Sequence, residues 1–447
     1  MNFGDIKNIH FVGIGGIGMS GLAEVLAAGG ASVSGCDAKS SSVTDLLSSR
    51  GIRVAIGHDA SHVDDAGLLV ITSAVRGEHP ELEAARVKGV RVMKRAEVLG
   101  AIVNAKRSIG VAGTHGKTTT SAMVSTILEE AGLDPTVLVG GMVRNFQTNA
   151  KSGKSDFLVV EADEYDRTFH QLRPELAVVT NIEADHLEYY GSLEAIREAF
   201  TIFLKGVKGT IVACVDDAEV ANVVREFPKV VGYGLGEHAQ LRATNVTFNE
   251  RGSSFDVPGV GFFKLFVPGE HNVRNALGAI GVALALHIDA HVISMALAKF
   301  LGVDRRFQIL GDYQGAIVVD DYAHHPTEIR ATLQAARSGY PRRRLVALFQ
   351  PHLYSRTADF AREFGEALKE ADVPIVSPIY AAREAPVNGM SSKIIADAVP
   401  GIEFLDRSNA QIVNELRRRL APQDIFIAMG AGDVHEIAEQ LVRGEEA

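Results

Sequence analysis

The sequence lacks the features of a secreted, membrane-spanning or nucleic-acid-binding chain. Its two cysteines, Cys36 and Cys214, lie far apart in predicted strands and indicate buried thiols in a reducing compartment. The longest apolar run, 276–286, is too short to cross a bilayer, and residues 1–5 carry no targeting signal. A net charge of −10, with no basic cluster beyond 342–344, argues against nucleic acid as the main partner. We therefore expect a cytoplasmic protein that binds small molecules, with no nucleic-acid or membrane partner.

Length and composition indicate an ordinary globular chain of several domains. The chain has 447 residues, and at about 100–200 residues per domain this predicts two to four domains. An apolar content of 46% and a charged content of 22% are sufficient for several hydrophobic cores. The sequence contains no heptads, internal repeats or low-complexity tracts.

A glycine-rich loop at residues 110–120, GVAGTHGKTTT, is the feature around which the chain is organised. An apolar strand precedes it, and helical periodicity follows over 123–131. Backbone N–H groups at such a junction bind phosphate; Lys117 would reach the β- and γ-phosphates, and the Thr118 hydroxyl would hold Mg²⁺. Val111 replaces the first glycine of G-x-x-x-x-G-K-S/T, so a chance match is the alternative. In this strand–loop–helix context, the loop predicts a nucleoside triphosphate site.

A second glycine loop, GIGGIG at 13–18, lies between a predicted strand at 9–14 and a predicted helix at 19–28. Asp37 follows the next strand, predicted at 32–35, and completes a dinucleotide-type fingerprint. This pattern suggests NAD. However, a tight turn beside a helix N-terminus binds any diphosphate, and an acid at the second strand binds any ribose diol. A UDP-sugar fits equally well.

Acidic clusters follow two further predicted strands. Glu161 ends the apolar strand at 157–160, and His186 follows the strand at 176–180 within the run NIEADH. Ligands of parallel sheets collect at the carboxyl ends of the strands, where an acid beside a phosphate loop can hold Mg²⁺. A single histidine is more often structural than a ligand, but its place among acids at a strand end favours a ligand here.

The pattern changes over 241–267 to short β-like runs separated by turn residues, which predicts an antiparallel hairpin. An apolar helix is predicted at 273–286. Asn272 precedes it, either as a plain N-cap or as a contact to a nucleotide base. Residues 303–315 are interpreted as a linker.

A third alternation of strands and helices follows the linker. Its strands are predicted at 316–319, 345–349, 374–377, 402–405 and 425–428. Three of them end in clusters of polar residues, at 320–326, 350–356 and 430–433. Such loops are where an α/β domain keeps its chemistry.

The predicted fold class is α/β with three domains. Residues 1–105 form a Rossmann-like N-terminal domain with a diphosphate loop and an acid for a ribose. Residues 106–303 form a central ATPase domain of the phosphate-loop type, which binds ATP and Mg²⁺ and carries a small antiparallel addition. Residues 304–447 form a Rossmann-like C-terminal domain with polar clusters at its strand ends.

The sequence resembles the Mur ligase family over essentially its whole length. Eight short segments in the correct order carry the resemblance: 13–22, 113–120, 161–166, 180–187, 271–275, 305–307, 320–326 and 349–356. The resemblance implies ligation of L-alanine to the lactyl carboxylate of UDP-N-acetylmuramate. It also implies that residues 1–105 bind the UDP-sugar and that residues 304–447 bind the amino acid. ATP would phosphorylate the carboxylate, and the amine of L-alanine would displace phosphate from the acyl phosphate.

The resemblance also implies a role for individual residues. Catalytic roles fall to Lys117, Glu161, His186, Arg306 and Asp321. ATP would contact Gly113, Thr114, His115, Gly116, Lys117, Thr118, Thr119, Asn272 and Asn275. The UDP-sugar would contact Gly15, Gly16, Gly18 and Asp37. The amino acid would contact Tyr322, His324 and Arg356, and Mg²⁺ would be held by Thr118, Glu161 and His186.

Two positions depart from patterns within the family. Phe200 stands where several sister ligases carry a carbamylated lysine, as in the alanine-adding branch. Leu353 occupies a position that is basic in many alanine-adding relatives, so Arg356 is the better candidate for the incoming carboxylate.

Three other functions remain as alternatives. The nearest is a recycling ligase that attaches a preformed peptide to the same UDP-sugar. From other classes come an NAD-dependent dehydrogenase with an ATPase domain and a non-catalytic module gated by ATP.

Overall fold

Four β-sheets organise the chain in a computed structural model, which describes residues 6–72, 75, 77–250, 252–382 and 384–443, with only the backbone of Glu188. The chain forms two compact units. The first comprises residues 1–244, 257–261 and 274–297, and the second comprises 245–256, 262–273 and 298–447. The mixed α/β class predicted from the sequence is confirmed.

The first sheet has five parallel strands in the order β3-β2-β1-β4-β5. Its elements are β1 (Asn8–Val12), α1 (Ile17–Ala28), β2 (Ser32–Asp37), α2 (Ser42–Ser49), β3 (Arg53–Ile56), β4 (Leu68–Ile71), α3 (Pro80–Lys88), β5 (Arg91–Lys94) and α4 (Arg95–Asn104). A 3-10 turn, Ala60–Val63, connects β3 to β4. The strand order reverses at β1, so the glycine loop after β1 lies at the topological switch point, where α/β sheets bind ligands.

The second sheet has eight strands in the order β13-β12-β11-β10-β6-β9-β7-β8. Its elements are β6 (Arg107–Ala112), α5 (Lys117–Glu130), β7 (Thr136–Val143), β8 (Thr148–Lys151), β9 (Phe157–Glu161), β10 (Leu176–Val179), α6 (Leu187–Tyr190), α7 (Leu193–Lys205), β11 (Ile211–Cys214), α8 (Ala218–Val224), β12 (Val230–Gly234) and β13 (Leu241–Arg242). Only the β7–β8 pair is antiparallel among these pairings. Strand β6, which precedes the phosphate loop, lies between β9 and β10. The acidic residues at the ends of β9 and β10 therefore lie on either side of the loop.

A small three-stranded sheet and two helices follow. They are β14 (Thr244–Asn249), β15 (Gly252–Val257), β16 (Gly261–Leu265), α9 (Glu270–Ala285) and α10 (Ala290–Ala298). Three residues connect β15 to β16, and so short a connection permits only antiparallel pairing. The hairpin prediction therefore agrees with the structure. Helix α9 begins before Asn272, so the N-cap interpretation of that residue is wrong.

The fourth sheet, in the second unit, has six strands in the order β17-β18-β22-β19-β20-β21. Its elements are β17 (Gln308–Tyr313), β18 (Ala316–Asp321), α11 (Pro326–Gly339), β19 (Arg344–Phe349), α12 (Tyr354–Asp359), α13 (Ala361–Leu368), β20 (Val373–Val376), α14 (Lys393–Ala398), β21 (Glu403–Phe404), α15 (Asn409–Arg419), β22 (Asp424–Met429) and α16 (Val434–Arg443). The linker interpretation of 303–315 is wrong for its second half, because β17 pairs antiparallel with β18 as an edge strand.

Each face of the fourth sheet carries its own apolar cluster. Val319, Ala347 and Ile427 point to one face, while Val318 and Leu348 point to the other, as the period of a strand requires. Helices cover both faces, which explains why these strands are almost continuously apolar. No helix among the described residues is both long and apolar enough to span a membrane.

Candidate active site

The loop between β6 and α5 has the backbone that phosphate binding requires. Gly113 and Gly116 have φ of +140° and +81°, a region that residues with a Cβ rarely adopt. A Cβ on Gly113 would lie 1.9 Å from the Thr180 Oγ1, and one on Gly116 would lie 2.6 Å from the Asn275 Oδ1. Both glycines are therefore needed to let the loop turn into the N-terminus of α5.

The side chain of Lys117, at the first position of α5, folds back into this loop. Its Nζ donates to the carbonyl oxygens of Gly113 and Thr114 at 2.6 and 3.2 Å, and to both Glu164 carboxylate oxygens at 2.9 and 3.0 Å. Burial would lower the pKa of Lys117, but the carboxylates of Glu164 and its neighbours Asp163 and Glu161 raise it instead. The ammonium group therefore stays charged where a phosphate would enter.

The segment that follows β10 holds the phosphate loop in shape. The Asn181 amide accepts from the His115 N–H at 2.8 Å and donates to the His115 carbonyl at 3.0 Å. The Thr180 hydroxyl donates to the same carbonyl at 2.5 Å, and the Glu183 N–H donates to the Thr114 hydroxyl at 2.9 Å. This part of the motif TNIEADH therefore acts on the loop backbone.

Glu161 and Thr118 offer oxygen ligands beside the loop. Glu161 is the last residue of β9, and its Oε1 accepts from the Gly140 N–H at 2.5 Å. Burial raises the pKa of Glu161, while bonds from Gly140 and the Thr118 hydroxyl oppose the change. A carboxylate and a buried hydroxyl fit Mg²⁺, which prefers oxygen ligands and retains waters and phosphate oxygens in its shell.

His186 lies in a strained turn after β10. It has φ of +54°, its N–H donates to the Asp185 Oδ1 at 2.8 Å, and its ring lies 5.0 Å from the Tyr165 ring. Within the described residues, Glu161 and His186 share no cluster of three or more His, Cys, Asp or Glu ligand atoms. An imidazole nitrogen is also an unusual ligand for Mg²⁺. The metal role of His186 stays a prediction.

The glycine loop of the first sheet is held by Asp37. Its Oδ2 accepts from the Gly15 N–H at 2.9 Å, and a Cβ on Gly15 would lie 2.9 Å from that same oxygen. Gly16 is the N-cap of α1, so the N–H groups of the first turn face the loop. Gly18 lies under Arg95, whose Nη1 would be 2.9 Å from an added Cβ. The loop thus combines a helix N-terminus with a neighbouring cation.

A cleft of about 390 Å³ in the first unit joins this loop to the end of β9. Residues from the glycine loop and α1 line one side, and residues from β7 and β9 line the other. The polar side chains among them are Thr72, Arg95, Asn149, Glu161 and Asp163. A ligand that fills the cleft would therefore place one end at the glycine loop and the other at Glu161.

The two asparagines predicted to contact ATP have different surroundings. The Asn275 Oδ1 accepts from the Thr120 hydroxyl at 3.2 Å and lies under Gly116, so this residue belongs to the phosphate loop region. Asn272, also buried, donates from Nδ2 to the Pro268 carbonyl at 2.7 Å. Phe200 is buried against the edge of Phe169, with ring centroids 5.3 Å apart, which makes it a core residue.

In the second unit, Asp321 ends β18 and binds backbone. Its two carboxylate oxygens accept from the Phe307 and Ala323 N–H groups, each at 2.7 Å. Burial raises the pKa of Asp321 to about 6, while Arg306 and the two N–H groups oppose the rise. The Arg306 guanidinium lies over the Tyr322 ring at 5.1 Å, so these predicted site residues do lie together.

His324 joins the same group. Its Nδ1 lies 3.0 Å from the Tyr322 carbonyl, and its N–H donates to the Glu328 Oε2 at 3.0 Å. Burial lowers the pKa of His324 to about 4; Arg356 and Arg306 act in the same direction, and Glu328 opposes them. The imidazole is therefore neutral at pH 7.

Leu353, at the N-cap of α12, is buried with φ of +68°. Its N–H donates to the Tyr380 carbonyl at 3.0 Å, and its carbonyl accepts from the Thr357 hydroxyl at 2.6 Å. The side chain packs in the second unit as an apolar residue. Arg356, on α12, remains the candidate for the amino-acid carboxylate.

The low pKa of His324 predicts a loss of stability in acid. The unfolded histidine titrates near 6.5 and the folded one near 4, so the unfolded state binds more protons between these values. The contribution is complete above about pH 6.5 and is lost as the pH falls toward 4, by about 2–3 kcal/mol. As the pH falls from 6.5 to 4, wild type should lose this contribution and His324→Gln should not. The free energy of unfolding of His324→Gln, measured by chemical denaturation, should therefore rise relative to that of wild type as the pH falls. If the stability curves of wild type and His324→Gln stay parallel between pH 6.5 and 4, the assignment is wrong.

Three residues of this region were not predicted from the sequence. Glu164 pairs with Lys117, Gly140 donates to Glu161, and Arg95 lines the cleft. Glu164 lies in the acidic run after β9 and could have been noticed as a possible partner. Nothing local in the sequence indicates that β7 or α4 borders the site.

Comparison with known proteins identifies the family of this chain. Residues 8–107 match the model described as Mur ligase family, catalytic domain; residues 111–283 match the Mur ligase middle domain; and residues 305–432 match the Mur ligase, glutamate ligase domain. The chain belongs to the Mur ligase family and is an ATP-dependent ligase that forms amide bonds. The dehydrogenase alternative therefore does not hold.

Several relatives within the family match nearly the whole chain. A UDP-N-acetylmuramate–L-alanine ligase of a Geobacter species is 45% identical over 98% of both chains, and that of Geobacter sulfurreducens is 43% identical over 100% of this chain and 99% of its own. The crystal structure of the UDP-N-acetylmuramate–alanine ligase of Thermotoga maritima has a TM-score of 0.82 and 31% identity, with 98% of each chain covered. A murein peptide ligase of Psychrobacter arcticus has a TM-score of 0.71 at 24% identity over 98% of each chain, which shows the shared fold alone.

Proposed function

We propose that this protein joins L-alanine to the lactyl carboxylate of UDP-N-acetylmuramate at the expense of ATP, in peptidoglycan precursor synthesis. The cleft from the glycine loop to Glu161 is the observation that carries this proposal. The end of the cleft at the glycine loop suits a diphosphate. The other end lies at Glu161, the last residue of β9, close to the phosphate loop that carries Lys117. A substrate with a diphosphate at one end and a carboxylate at the other matches both ends.

The proposed reaction is mainly one of positioning and charge neutralisation. The loop N–H groups and Lys117 would bind the β- and γ-phosphates, and Arg356 would orient the amino-acid carboxylate. Thr118 and Glu161 would hold Mg²⁺, which shields the phosphoryl group from the repulsion of the attacking carboxylate. A carboxylate oxygen would attack the γ-phosphorus of ATP and displace ADP. The alanine amine would then attack the acyl carbon, lose a proton to solvent and expel phosphate.

The remaining assignments stand as proposals. Arg306 and Asp321 would assist catalysis, Asn272 and Asn275 would contact ATP, and Tyr322 would contact the amino acid. We also retain domain boundaries near residues 105 and 303. The cytoplasmic location is supported by two cysteines that are free and buried, as a reducing compartment would keep them.

The test is phosphate release from ATP in the presence of UDP-N-acetylmuramate and each of a panel of amine substrates. L-Alanine should support the highest kcat/KM, and product analysis should show one alanine per UDP-sugar. A preformed tripeptide is the important comparison, because a ligase that attaches a preformed peptide to the same UDP-sugar is the nearest alternative function. Preference for the tripeptide over alanine would overturn the proposal.

Arg95 gives a specific prediction within this function. It is the cation beside Gly18 in the cleft, where a diphosphate would lie. Arg95→Ala should raise the KM for UDP-N-acetylmuramate by about tenfold or more, since hydrogen bonds to charged groups contribute about 1.5–3 kcal/mol. The KM for ATP should stay unchanged. Arg86→Ala, which removes an exposed arginine paired with Glu83 on α3, should leave both values unchanged, and an unaltered UDP-sugar KM in Arg95→Ala would refute the contact.

A further inference from the structure

A group of buried ligand-type side chains lies in the first sheet, apart from the residues assigned to catalysis. His10 comes from β1, Cys36 from β2, His62 from the 3-10 turn and Glu81 from the first turn of α3. His10, Cys36 and Glu81 are 3%, 0% and 0% exposed. One ligand atom from each of the four residues lies within 4.8 Å of all the others. Four separate elements therefore converge on one small polar centre.

The spacing of these atoms is close to that of a tetrahedral metal site. The Cys36 Sγ lies 3.0 and 3.1 Å from the two Glu81 oxygens, the His62 Nδ1 lies 3.0 Å from the Glu81 Oε1, and the His10 Nε2 lies 3.5 Å from the Oε2. Bonds of about 2.0–2.3 Å from Zn²⁺ to N, O and S ligands place tetrahedral ligands about 3.3–3.8 Å apart. Small side-chain movements would therefore admit the ion.

His10 gives the most specific indication. Its Nδ1 lies 2.9 Å from the Ser34 Oγ, which fixes the ring, while its Nε2 is buried without a hydrogen-bond partner and faces the cluster. A histidine that bonds a neighbour through one nitrogen and directs the other inward is the usual arrangement at a metal. A buried polar atom without a partner is otherwise costly.

Among the described residues, Glu81 has no Lys or Arg partner of the kind that a buried carboxylate usually has. In the described part of the chain its side-chain contacts are thiol, imidazole and backbone N–H groups rather than Lys or Arg. A buried carboxylate beside thiol and imidazole groups offers the O, S and N donors that Zn²⁺ binds.

We propose that His10, Cys36, His62 and Glu81 form a Zn²⁺ site that stabilises the first sheet. Binding would displace the Cys36 thiol proton to solvent, which leaves a thiolate as the sulfur ligand. The His58 Nδ1, 3.2 Å from the Cys36 Sγ, lies next to this set as an outer group.

The position of Cys36 connects the site to the glycine loop. The Cys36 carbonyl accepts from the Gly13 and Ile14 N–H groups at 2.8 and 3.0 Å, and the next residue, Asp37, holds Gly15. A cation bound to the Cys36 side chain would therefore fix the backbone to which the loop is attached. The alternative is a network of hydrogen bonds alone, with the Cys36 thiol donating to Glu81.

The test uses the full-length protein, stripped with a chelator and reloaded with Zn²⁺ or Co²⁺. The metal content after desalting should be one Zn²⁺ per chain, and the Co²⁺ form should show a thiolate-to-cobalt charge-transfer band with the visible bands of four-coordination. Cys36→Ser should lose the band and weaken Zn²⁺ binding by about tenfold or more. Cys214→Ser is the matched control, because it removes the other buried cysteine from β11 and should change neither result.

A second variant keeps the test decisive if Cys36→Ser folds poorly. His62 is the most exposed of the four ligands, at 21%, so His62→Ala should fold. This variant should bind Zn²⁺ about tenfold more weakly than wild type. At the same Zn²⁺ concentration the ion should also raise the Tm of wild type more than that of His62→Ala, since a ligand stabilises a protein less when it binds more weakly. Absence of Zn²⁺ after desalting, or a charge-transfer band that survives in Cys36→Ser, would overturn the proposal.

Discussion

Replacing Lys117 with methionine should abolish ATP-dependent turnover and leave UDP-N-acetylmuramate binding intact. The Lys117 ammonium lies inside the phosphate loop, held by the Gly113 and Thr114 carbonyls and by Glu164. It is thus positioned before ATP arrives and would stabilise charge on the transferred phosphoryl group. We expect kcat to fall by about 10³-fold or more in assays of ADP release. Calorimetry with the UDP-sugar should give the wild-type Kd.

Glu164 provides the control for this experiment. It is 4% exposed, and loss of Lys117 leaves its carboxylate buried without its cation. Breaking such a pair costs about 3 kcal/mol or more, so Lys117→Met should also lower the Tm. The double variant Lys117→Met with Glu164→Gln should recover much of that stability but none of the turnover. If the double variant recovered turnover, the loss in the single variant would reflect folding and not catalysis.

Much of the fold was predictable because its signals are local. The phosphate loop between β6 and α5, the glycine loop after β1 and the position of Glu161 at the end of β9 each depend on a short run of residues. The order of these motifs also identified the family. In parallel sheets the carboxyl ends of the strands meet, so a strand-end acid can be placed near a loop without knowledge of the strand order.

The contacts that could not be predicted are those between distant segments. Gly140 reaches Glu161 only because β7 lies beside β9, and nothing in either strand specifies that order. Arg95 reaches Gly18 because α4 follows the fifth strand of the first sheet. The edge strand β17 was mistaken for a linker because its residues are only partly buried or exposed and because it contains Gly311, which lies at an irregularity in its pairing. Such edge strands carry weak apolar patterns.

Replacing Glu161 with glutamine should also abolish turnover, for a different reason. The substitution keeps the shape and retains an oxygen that can accept from the Gly140 N–H, but it removes the charge. Glu161 and Thr118 are the oxygen ligands proposed for Mg²⁺ beside the loop, and a neutral amide binds a hard dication poorly. We expect kcat to fall by about 10³-fold, with a higher Mg²⁺ requirement for the residual activity. Titration of ADP release against Mg²⁺ measures both effects.

Asp166→Asn is the matched control, because it neutralises another acid of the same run. Asp166 is exposed and has φ of +52°, a conformation that asparagine tolerates as well as aspartate. It should retain wild-type turnover, whereas a general effect of negative charge in this segment would impair both variants. Because Glu161 lines the same cleft as the glycine loop, binding of the UDP-sugar to Glu161→Gln must also be measured. Unchanged kcat at low Mg²⁺ in Glu161→Gln would show that the metal is held elsewhere and that this carboxylate only anchors β7.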